Sequence, residues 1–325
     1  MHIILGATGH VGSAAARALL AHGEPVTIVT RDPGKGAALE QAGARVAVAD
    51  VHDVSAMQAI FRTGRRAFLL NPPADVSADT DVEERRTAAA IAAAVTDSGL
   101  EKLVVESVYG ARSGGSCGDL TILFELEQAL QGKPIPVAIN RAAYYFTNWD
   151  AQAGAVRERG ILQSFFPADF ALPMVSPQDL GAAAARRLIE PAALAGIHYV
   201  EGPRHYSAQD VADAFATALG RPVKVEVVPR ARWEEAYRSL GFSEAAAASY
   251  ARMTAATLEA DFDLPEEPER GQVTLQSHID ALISGGQFGQ AGEAPPMRKP
   301  ATAQGSAEFL RQSAFAPAAR NEGTW

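Results

Sequence analysis

The chain of 325 residues has little of what marks several large classes of protein. It has one cysteine, Cys117, so it can form neither a disulfide framework nor a thiolate metal cluster. Its seven histidines are scattered, with no pair at the spacing of helical metal ligands, so we expect no metal site. No apolar run reaches the roughly 20 residues of a membrane-spanning helix. Met1 leads directly into an apolar strand pattern instead of a signal peptide, which predicts a cytoplasmic protein without membrane contact.

Positive charge is scarce as well. Against 38 aspartates and glutamates there are 29 lysines and arginines, which gives a formal net charge of -9 and a pI near 5.3. The densest basic stretch, at 62–66, is short and runs into an apolar strand pattern. Such a surface repels phosphate groups, so we expect no nucleic-acid partner. A basic protein partner is compatible with it.

The first half of the chain alternates apolar strands with helical stretches, a pattern typical of a parallel sheet covered on both faces. The strands are predicted at 2–5, 25–30, 45–49, 67–70, 102–106 and 135–139. The helices are predicted at 11–21, 36–41, 81–97 and 120–130, with a short one that ends at 61 and is capped by Asp53 or Ser55. The predicted fold class is therefore α/β, a doubly wound parallel sheet of the Rossmann type.

After Trp149 the alternation is less regular. Helices are predicted at 176–189, 207–219, 232–240 and 243–258, and strands at 197–200 and 223–228. We therefore predict three parts: a Rossmann domain at 1–150, a smaller α+β portion at 151–284 that covers the cleft and returns some elements to the main sheet, and a linker and tail at 285–325. The linker proper is expected at 285–299, with a short helix at 306–312 and a disordered end.

A glycine-rich turn, Gly-Ala-Thr-Gly-His-Val-Gly at 6–12, joins the first predicted strand to the first helix. One glycine lets the chain turn off the strand, another lets the backbone approach a pyrophosphate, and a third lets the helix pack on the sheet. The pyrophosphate then lies at the helix N-terminus, where free N–H groups favour negative charge. In this context the turn predicts a dinucleotide site, although an ordinary strand-to-helix turn would also use glycines.

The end of the second strand indicates which dinucleotide is bound. NAD-selective sites usually place an acidic residue there, whereas this chain has Arg31, followed by Lys35 four residues on. A guanidinium binds a 2'-phosphate through charge-assisted hydrogen bonds, so NADP(H) is predicted over NAD(H). Asp32 leaves an alternative open, since it could hold an NAD ribose or pair with Arg31. Asp50 and Val51 follow the third strand, either beside an adenine or as a simple helix cap.

Three motifs in this order and spacing carry a family resemblance: the turn at 6–12, Val-Thr-Arg-Asp-Pro-Gly-Lys at 29–35 and Ala-Asp-Val-His-Asp at 49–53. With the stretches at 104–110, 139–148 and 175–181, the chain resembles the NmrA-like family over about residues 1–230. This family of atypical short-chain dehydrogenases includes NAD(P)H-quinone reductases and NADP-sensing regulators. The motifs are specific for fold and cofactor but not for substrate.

The resemblance implies a role for each matching position. The expected pyrophosphate contacts are Gly6, Thr8, Gly9, His10, Val11 and Gly12, the 2'-phosphate contacts are Arg31 and Lys35, and the adenine contacts are Asp50 and Val51. Beside the nicotinamide ribose it implies Asn71, Pro72 and Pro73, and near the nicotinamide Ser107 and Tyr109. The substrate cleft is expected to be bordered by Tyr144, Tyr145, Phe146 and Asn148.

The sequence lacks the catalytic dyad of conventional short-chain dehydrogenases, a tyrosine with a lysine four residues later that lowers the phenol pKa. None of the seven tyrosines has that lysine; after Tyr109 the position is Ser113. Some relatives supply a lysine or histidine from the next helix, where Leu123 is expected here. Ketone reduction generates a strongly basic alkoxide and is disfavoured, whereas a reduced quinone is a stabilised phenolate that takes its proton from water. Tyr109 is kept as the candidate proton donor or substrate anchor.

The aromatic residues Tyr144, Tyr145, Phe146 and Trp149 suit a flat acceptor, because ring faces stack, although two or three of them could equally belong to the core. The first hypothesis is therefore an NADPH-dependent reductase of a quinone-like or conjugated small molecule. The second is a catalytically silent NADP(H)-sensing regulator of a protein partner. A third is an epimerase or lyase-type enzyme. A homodimer is compatible with each of them.

Overall fold

The structure, a computed structural model, describes residues 1–259 and 264–285. The predicted helix at 306–312, the tail and all but the first residue of the predicted linker lie outside the described residues. None of the described helices combines the length and apolar character needed to cross a bilayer.

Most of the described residues belong to strands or helices in alternation. The strands are β1 (His2–Ile4), β2 (Val26–Thr30), β3 (Arg45–Val48), β4 (Arg66–Leu69), β5 (Lys102–Val108), β6 (Val137–Ala142), β7 (Tyr144–Tyr145), β8 (Ile161–Ser164), β9 (Leu172–Val175), β10 (Gly196–Glu201), β11 (His205–Tyr206), β12 (Lys224–Val227) and β13 (Glu269–Arg270). The helices are α1 (His10–Ala21), α2 (Pro33–Gln41), α3 (Val54–Phe61), α4 (Thr80–Ala94), α5 (Asp119–Gln131), α6 (Ala153–Arg159), α7 (Pro177–Ile189), α8 (Ala208–Leu219), α9 (Trp233–Ser239), α10 (Glu244–Glu259) and α11 (Leu275–Ser284).

Eight strands form one sheet in the order β13-β10-β6-β5-β4-β1-β2-β3, and all its neighbouring strands are parallel. The chain moves outward from β1 in one direction through β2 and β3, then in the other through β4, β5 and β6. The predicted doubly wound α/β fold is confirmed. In such a sheet ligands bind beyond the carboxyl ends of the strands, at the point where the strand order reverses. Here that point lies between β1 and β4.

Apolar residues cover both faces of the main sheet. On one face the strands pack against α1 and α7, and on the other against α3, α4 and α5. The first two helices touch closely: a Cβ on Gly181 of α7 would lie 2.4 Å from the Cβ of Ala14. A third, aromatic-rich core lies under the C-terminal elements, around residues such as Phe165 and Tyr237. The covered sheet fixes the strand ends, and therefore the loops that follow them.

Two of the C-terminal strands join the main sheet of the first half. β10 pairs with β6 and β13 pairs with β10, so both extend the main sheet. Two smaller sheets, β11-β9-β7 and β12-β8, complete the second half. The division at residue 150 stays a prediction.

Helix caps explain several boundaries. Ser207 and Asp210 form a reciprocal capping box at the start of α8, and Ser176 caps α7. β6 begins later than the predicted 135–139 because Pro136 has no N–H to give to a neighbouring strand.

Candidate functional site

A cleft of about 670 Å³ opens at the carboxyl ends of β1 to β5 and reaches the segment after β6. This volume is within the range of small-molecule and cofactor sites. Fifteen of the predicted site residues line it: Gly6, Thr8, Gly9, His10, Val11, Arg31, Lys35, Val51, Asn71, Pro72, Pro73, Ser107, Tyr144, Tyr145 and Asn148. Four others, Gly12, Asp50, Tyr109 and Phe146, are not part of its lining.

The glycine turn forms one end of the cleft. Gly6 has φ +67°, a left-handed conformation that favours glycine, and its carbonyl accepts a hydrogen bond from Gly9 N at 2.9 Å. A Cβ on Gly12 would lie 2.3 Å from the Gly6 carbonyl oxygen, so this glycine serves the helix–strand contact and not the cleft surface. α1 starts after Gly9 without a side-chain cap and without an acidic residue in its first turn. Its first N–H groups and dipole therefore suit an anionic ligand.

The end of β2 presents positive charge to the cleft. Asp32 caps α2 by accepting a hydrogen bond from Gly34 N at 2.9 Å, so its carboxylate is engaged in the helix start. In the described part of the chain Arg31 forms no ion pair with it, and the Arg31 side chain is exposed. Lys35 lines the cleft one helical turn further on.

Two loops after β3 and β4 shape the middle of the cleft. Asp50 accepts a hydrogen bond from His52 N at 2.9 Å and does not cap α3, which is capped by Asp53 instead. Val51 supplies an apolar wall. After β4, Asn71 Nδ2 donates to the backbone carbonyl of Glu84 at 3.2 Å, which ties this loop to α4.

Tyr109, the candidate proton donor, is turned away from the cleft. It is 6% exposed, its hydroxyl donates to Glu201 Oε1 at 2.7 Å, and its ring packs edge-on against Tyr199 at 5.0 Å. Burial and then the Glu201 carboxylate raise the pKa of Tyr109 far above its ordinary value, which makes it a poor acid. The Tyr109 side chain therefore does not line the cleft in which the sequence placed it.

The aromatic stretch after β6 is divided between cleft and core. Tyr144 and Tyr145 line the cleft, whereas Phe146 is fully buried against Tyr206, with ring centroids 5.5 Å apart. The expectation that Phe146 borders the substrate is therefore corrected. Trp149 is likewise 2% exposed and belongs to the core.

Asn148 is the polar residue of this wall. It is 2% exposed, and its amide group donates to the Tyr144 hydroxyl. Its Oδ1 has no hydrogen-bond partner in the described residues. A buried polar atom without a partner costs about 1–3 kcal/mol, so this oxygen suits a ligand that brings a donor.

Three acidic residues at the cleft were not predicted from the sequence. Glu106, at the end of β5, is 3% exposed; it accepts from Asn140 Nδ2 at 3.3 Å and from the Tyr145 hydroxyl at 3.5 Å, and burial raises its pKa to about 8. Asp119 lines the cleft at the start of α5, and Glu84 lies beside it. The one signal for Glu106 was a charged residue inside an apolar strand run. Ser107, next to it, donates to Glu127 and is thereby fixed.

The position where relatives place a lysine or histidine is apolar. Leu123 lines the cleft from α5, so the helix supplies no cation there.

The chain can be assigned to a known protein family. The model of the NmrA-like family matches residues 2–263, and the chain belongs to this family. It is 23% identical over 248 residues to an NAD(P)H azoreductase of Xenophilus azovorans. The aligned region covers 76% of this chain and 84% of that relative. The chain is 28% identical over 228 residues to a (4-alkanoyl-5-oxo-2,5-dihydrofuran-3-yl)methyl phosphate reductase of Streptomyces griseus, covering 70% of this chain and 76% of the relative.

Solved structures share the fold. An NADPH-dependent quinone oxidoreductase of Escherichia coli, solved with NADPH, superposes with a TM-score of 0.67 at 21% identity. The superposition covers 87% of this chain and 100% of that one.

Proposed function

We propose that this protein is an NAD(P)H-dependent reductase, with NADPH preferred, that acts on a quinone-like or otherwise conjugated small molecule. The main support for this proposal is the composition of a single cavity. It contains a glycine turn at an uncapped helix start, two basic side chains and a wall with an unpartnered amide oxygen. Both curated relatives described above are reductases by name, and one is named for NAD(P)H.

The residues present fit a nicotinamide dinucleotide. The α1 N-terminus would hold the pyrophosphate, since its first turn offers backbone N–H groups and no competing carboxylate. Val51 would flank the adenine, and the loop at 71–73 the nicotinamide ribose. When bound, the reduced nicotinamide supplies a hydride. The chain's own task is to orient both reactants and to keep water away from them.

NADPH preference is inferred from the end of β2. Arg31 is exposed and unpaired with Asp32, so its guanidinium is available to a 2'-phosphate. Asp32 is held in the α2 cap, which leaves it poorly placed to receive a ribose hydroxyl. Lys35 adds a second positive charge on the same side of the cleft.

The acceptor class is inferred from what the cleft offers for proton transfer. The buried, carboxylate-bonded Tyr109 cannot serve as the phenol acid of conventional relatives, and Leu123 adds no cation. A conjugated acceptor delocalises the negative charge that it gains with a hydride. Its reduction therefore depends less on a proton donor than the reduction of an isolated ketone. Tyr144 and Tyr145 offer flat surfaces beside the cleft to such a molecule.

Calorimetric titration with NADPH, NADP+, NADH and NAD+ in one buffer tests the cofactor assignment. We expect micromolar NADPH binding, well ahead of NADH. Arg31→Ala should weaken NADPH binding by about tenfold or more and leave NADH nearly unchanged, because a charge-assisted hydrogen bond contributes roughly 1.5–3 kcal/mol. Arg159→Ala, which removes an exposed arginine of α6, is the matched control. Equal losses for both nucleotides in Arg31→Ala would refute the 2'-phosphate contact.

Turnover tests the reductase itself. With NADPH and a quinone or azo acceptor, absorbance of the reduced nucleotide should fall in step with acceptor reduction. Tight NADP(H) binding without turnover of any conjugated acceptor would favour the sensing regulator instead. A substrate that changes stereochemistry with no net change in the nucleotide would favour an epimerase.

A further inference from the structure

Asn148 lies at the cleft on a segment that the core holds in place. It belongs to the 3₁₀ helix Phe146–Gln152, which follows β7. On either side of it, Phe146 and Trp149 are 0% and 2% exposed, so both rings are anchored in the aromatic-rich core. The segment therefore cannot turn Asn148 out to solvent without pulling two large apolar side chains from their packing.

The side chain of Asn148 carries a hydrogen-bond acceptor that is left unpaired. Its Oδ1 is buried and has no partner among the described residues, although Asn148 lines the cleft. Leaving such an oxygen unpaired costs about 1–3 kcal/mol, and buried polar atoms in folded proteins are nearly always paired. Because the segment fixes the oxygen in this position, the observation points to a ligand that enters the cleft with a hydrogen to donate.

The hydroxyl of Ser107, which also lines the cleft, has its hydrogen committed elsewhere. Ser107 Oγ donates to Glu127 Oε1 at 2.5 Å. Glu127 is held in an ion pair by Arg141, whose Nε and Nη2 donate to its two oxygens at 3.0 and 2.7 Å. A carboxylate in such a pair can only accept, and a hydroxyl has a single hydrogen, so Ser107 keeps only lone pairs for a ligand. Ser107 is therefore a second acceptor at the cleft.

The order of the sheet separates these two acceptors. A dinucleotide in a doubly wound sheet binds where the strand order reverses, which is between β1 and β4 here. Ser107 belongs to β5, next to β4, whereas Asn148 follows β6 and β7, one strand further out. Ser107 is thus the nearer acceptor for the carboxamide N–H of a nicotinamide, and the wall at Asn148 is left to the second reactant. Tyr144 and Tyr145 on that wall suit a flat molecule.

We propose that Asn148 is a specificity-determining residue and that the substrate carries a hydroxyl or amine hydrogen on its conjugated system, which Asn148 Oδ1 accepts. An amino-substituted quinone is of this class, whereas an unsubstituted quinone is not. This inference rests on the reductase function proposed above, and it narrows the substrate from any conjugated molecule to one with its own hydrogen-bond donor. The hydrogen bond orients the substrate and takes no part in the hydride transfer itself.

Two quinones that differ in their N–H hydrogens test the contact. The amine of 2-amino-1,4-naphthoquinone has such hydrogens and that of 2-dimethylamino-1,4-naphthoquinone has none, and both compounds are uncharged at neutral pH. Calorimetry on the protein saturated with NADP+ gives both Kd values without turnover. The amino compound should bind about tenfold or more tightly, because the dimethylamino compound leaves Oδ1 unpaired. The same ratio should appear in kcat/KM with NADPH.

Three variants show whether Asn148 causes this preference, and thermal unfolding shows that each is folded. Asn148→Leu replaces the amide by an apolar group of similar size and should reduce the ratio of the two Kd values to about one. Asn148→Asp keeps an oxygen acceptor and should keep the preference for the amino compound. Gln128→Leu, which removes an exposed amide of α5, is the matched control and should leave the ratio unchanged.

A nucleotide analogue tests the other source of the hydrogen. The reduced acetylpyridine analogue of NADPH has an acetyl group in place of the carboxamide and therefore no N–H to donate there. Asn148→Leu should bind NADPH and this analogue with the affinities of the wild-type protein. A loss of about tenfold for NADPH but not for the analogue would assign Oδ1 to the nicotinamide and overturn the proposal.

Three further results would overturn it: equal binding of the two quinones by the wild-type protein, a preference that persists in Asn148→Leu, or a preference lost in folded Asn148→Asp. If the wild-type NADP+ complex prefers the amino quinone but NADPH is not consumed with it, the reductase function fails and the contact at Asn148 stands. If both quinones are reduced with equal kcat/KM, the reductase function stands and the role of Asn148 fails. The two failures are therefore distinguishable.

Discussion

The glycine turn is the most exacting part of the proposed nucleotide site, and Gly12→Ala tests it. A Cβ at this position would lie 2.3 Å from the Gly6 carbonyl oxygen, 2.5 Å from its carbonyl carbon and 2.8 Å from Ala7 N. All three are backbone atoms, so no side chain can swing aside. The turn is held by the Gly9 N–H to Gly6 O hydrogen bond at 2.9 Å and by Leu5 N to Phe68 O at 3.0 Å.

To reach ordinary contact distances the start of α1 must retreat by about 1 Å. Overpacking of this kind costs typically 1–3 kcal/mol. For a chain of 325 residues each kcal/mol of destabilisation lowers Tm by roughly 1–2 °C. The same retreat moves the first N–H groups of α1 off the pyrophosphate, so the Kd for NADPH should rise by about tenfold or more.

Thermal unfolding and calorimetric titration with NADPH measure the two effects separately. Gly154→Ala is the matched control, because in the described part of the chain nothing beyond the backbone of α6 itself lies within 4 Å of a Cβ at that position. It should raise stability by about 0.4–1 kcal/mol, through the lower entropy of the unfolded chain, and leave nucleotide binding unchanged. A Gly12→Ala protein with the wild-type Tm and wild-type affinity would refute the proposed packing of the turn.

Three further predictions concern single side chains. Asp32→Ala should cost about 1 kcal/mol by removing the α2 cap but leave the preference for NADPH over NADH unchanged, as read by urea unfolding and calorimetry. Glu106→Gln should stabilise the protein more at pH 8 than at pH 5. The pKa of this carboxyl is raised from 4.5 to about 8 on folding, so ionisation destabilises the folded state increasingly across that interval, by up to a few kcal/mol; equal effects at both pH values in urea unfolding would contradict this. Glu127→Ala should lower the free energy of unfolding by about 3–5 kcal/mol, because it leaves the buried Arg141, which lies 2.7 Å from Glu127, charged and without this partner. Replacing Glu127 by Leu and Arg141 by Met together should recover most of that loss in urea unfolding.

The architecture of the first half could be predicted because its signals are local. Buried parallel strands read as short apolar runs, and the caps and glycines that bound the helices stand next to them in sequence. The short strands β7, β8, β9, β11 and β13 were missed, because none of them stands out in the sequence as an apolar run bounded by turn residues. Two helices, α6 and α11, were also missed, although Thr274 at the start of α11 is an ordinary cap and the residues of α11 are amphipathic.

The candidate site was predictable only where a residue's surroundings come from its own loop. The orientation of the Tyr109 side chain depends on its hydrogen bond to Glu201, 92 residues further on, so the residues next to Tyr109 in sequence do not indicate it. The acidity of Asp119 depends on burial and on the neighbouring helix α4. Such effects arise from tertiary packing, which a motif does not contain.

The pairing of β10 with β6 also has a consequence for synthesis of the chain. β6 ends at Ala142, but the strand that covers its outer edge begins only at Gly196. While the chain is being made, β6 therefore presents an unpaired edge, with Ile139 and Ala138 still uncovered, until more than fifty further residues have left the ribosome. An open parallel edge readily pairs with another chain. A fragment cut at residue 150 would keep this edge permanently, and it should aggregate when expressed by itself.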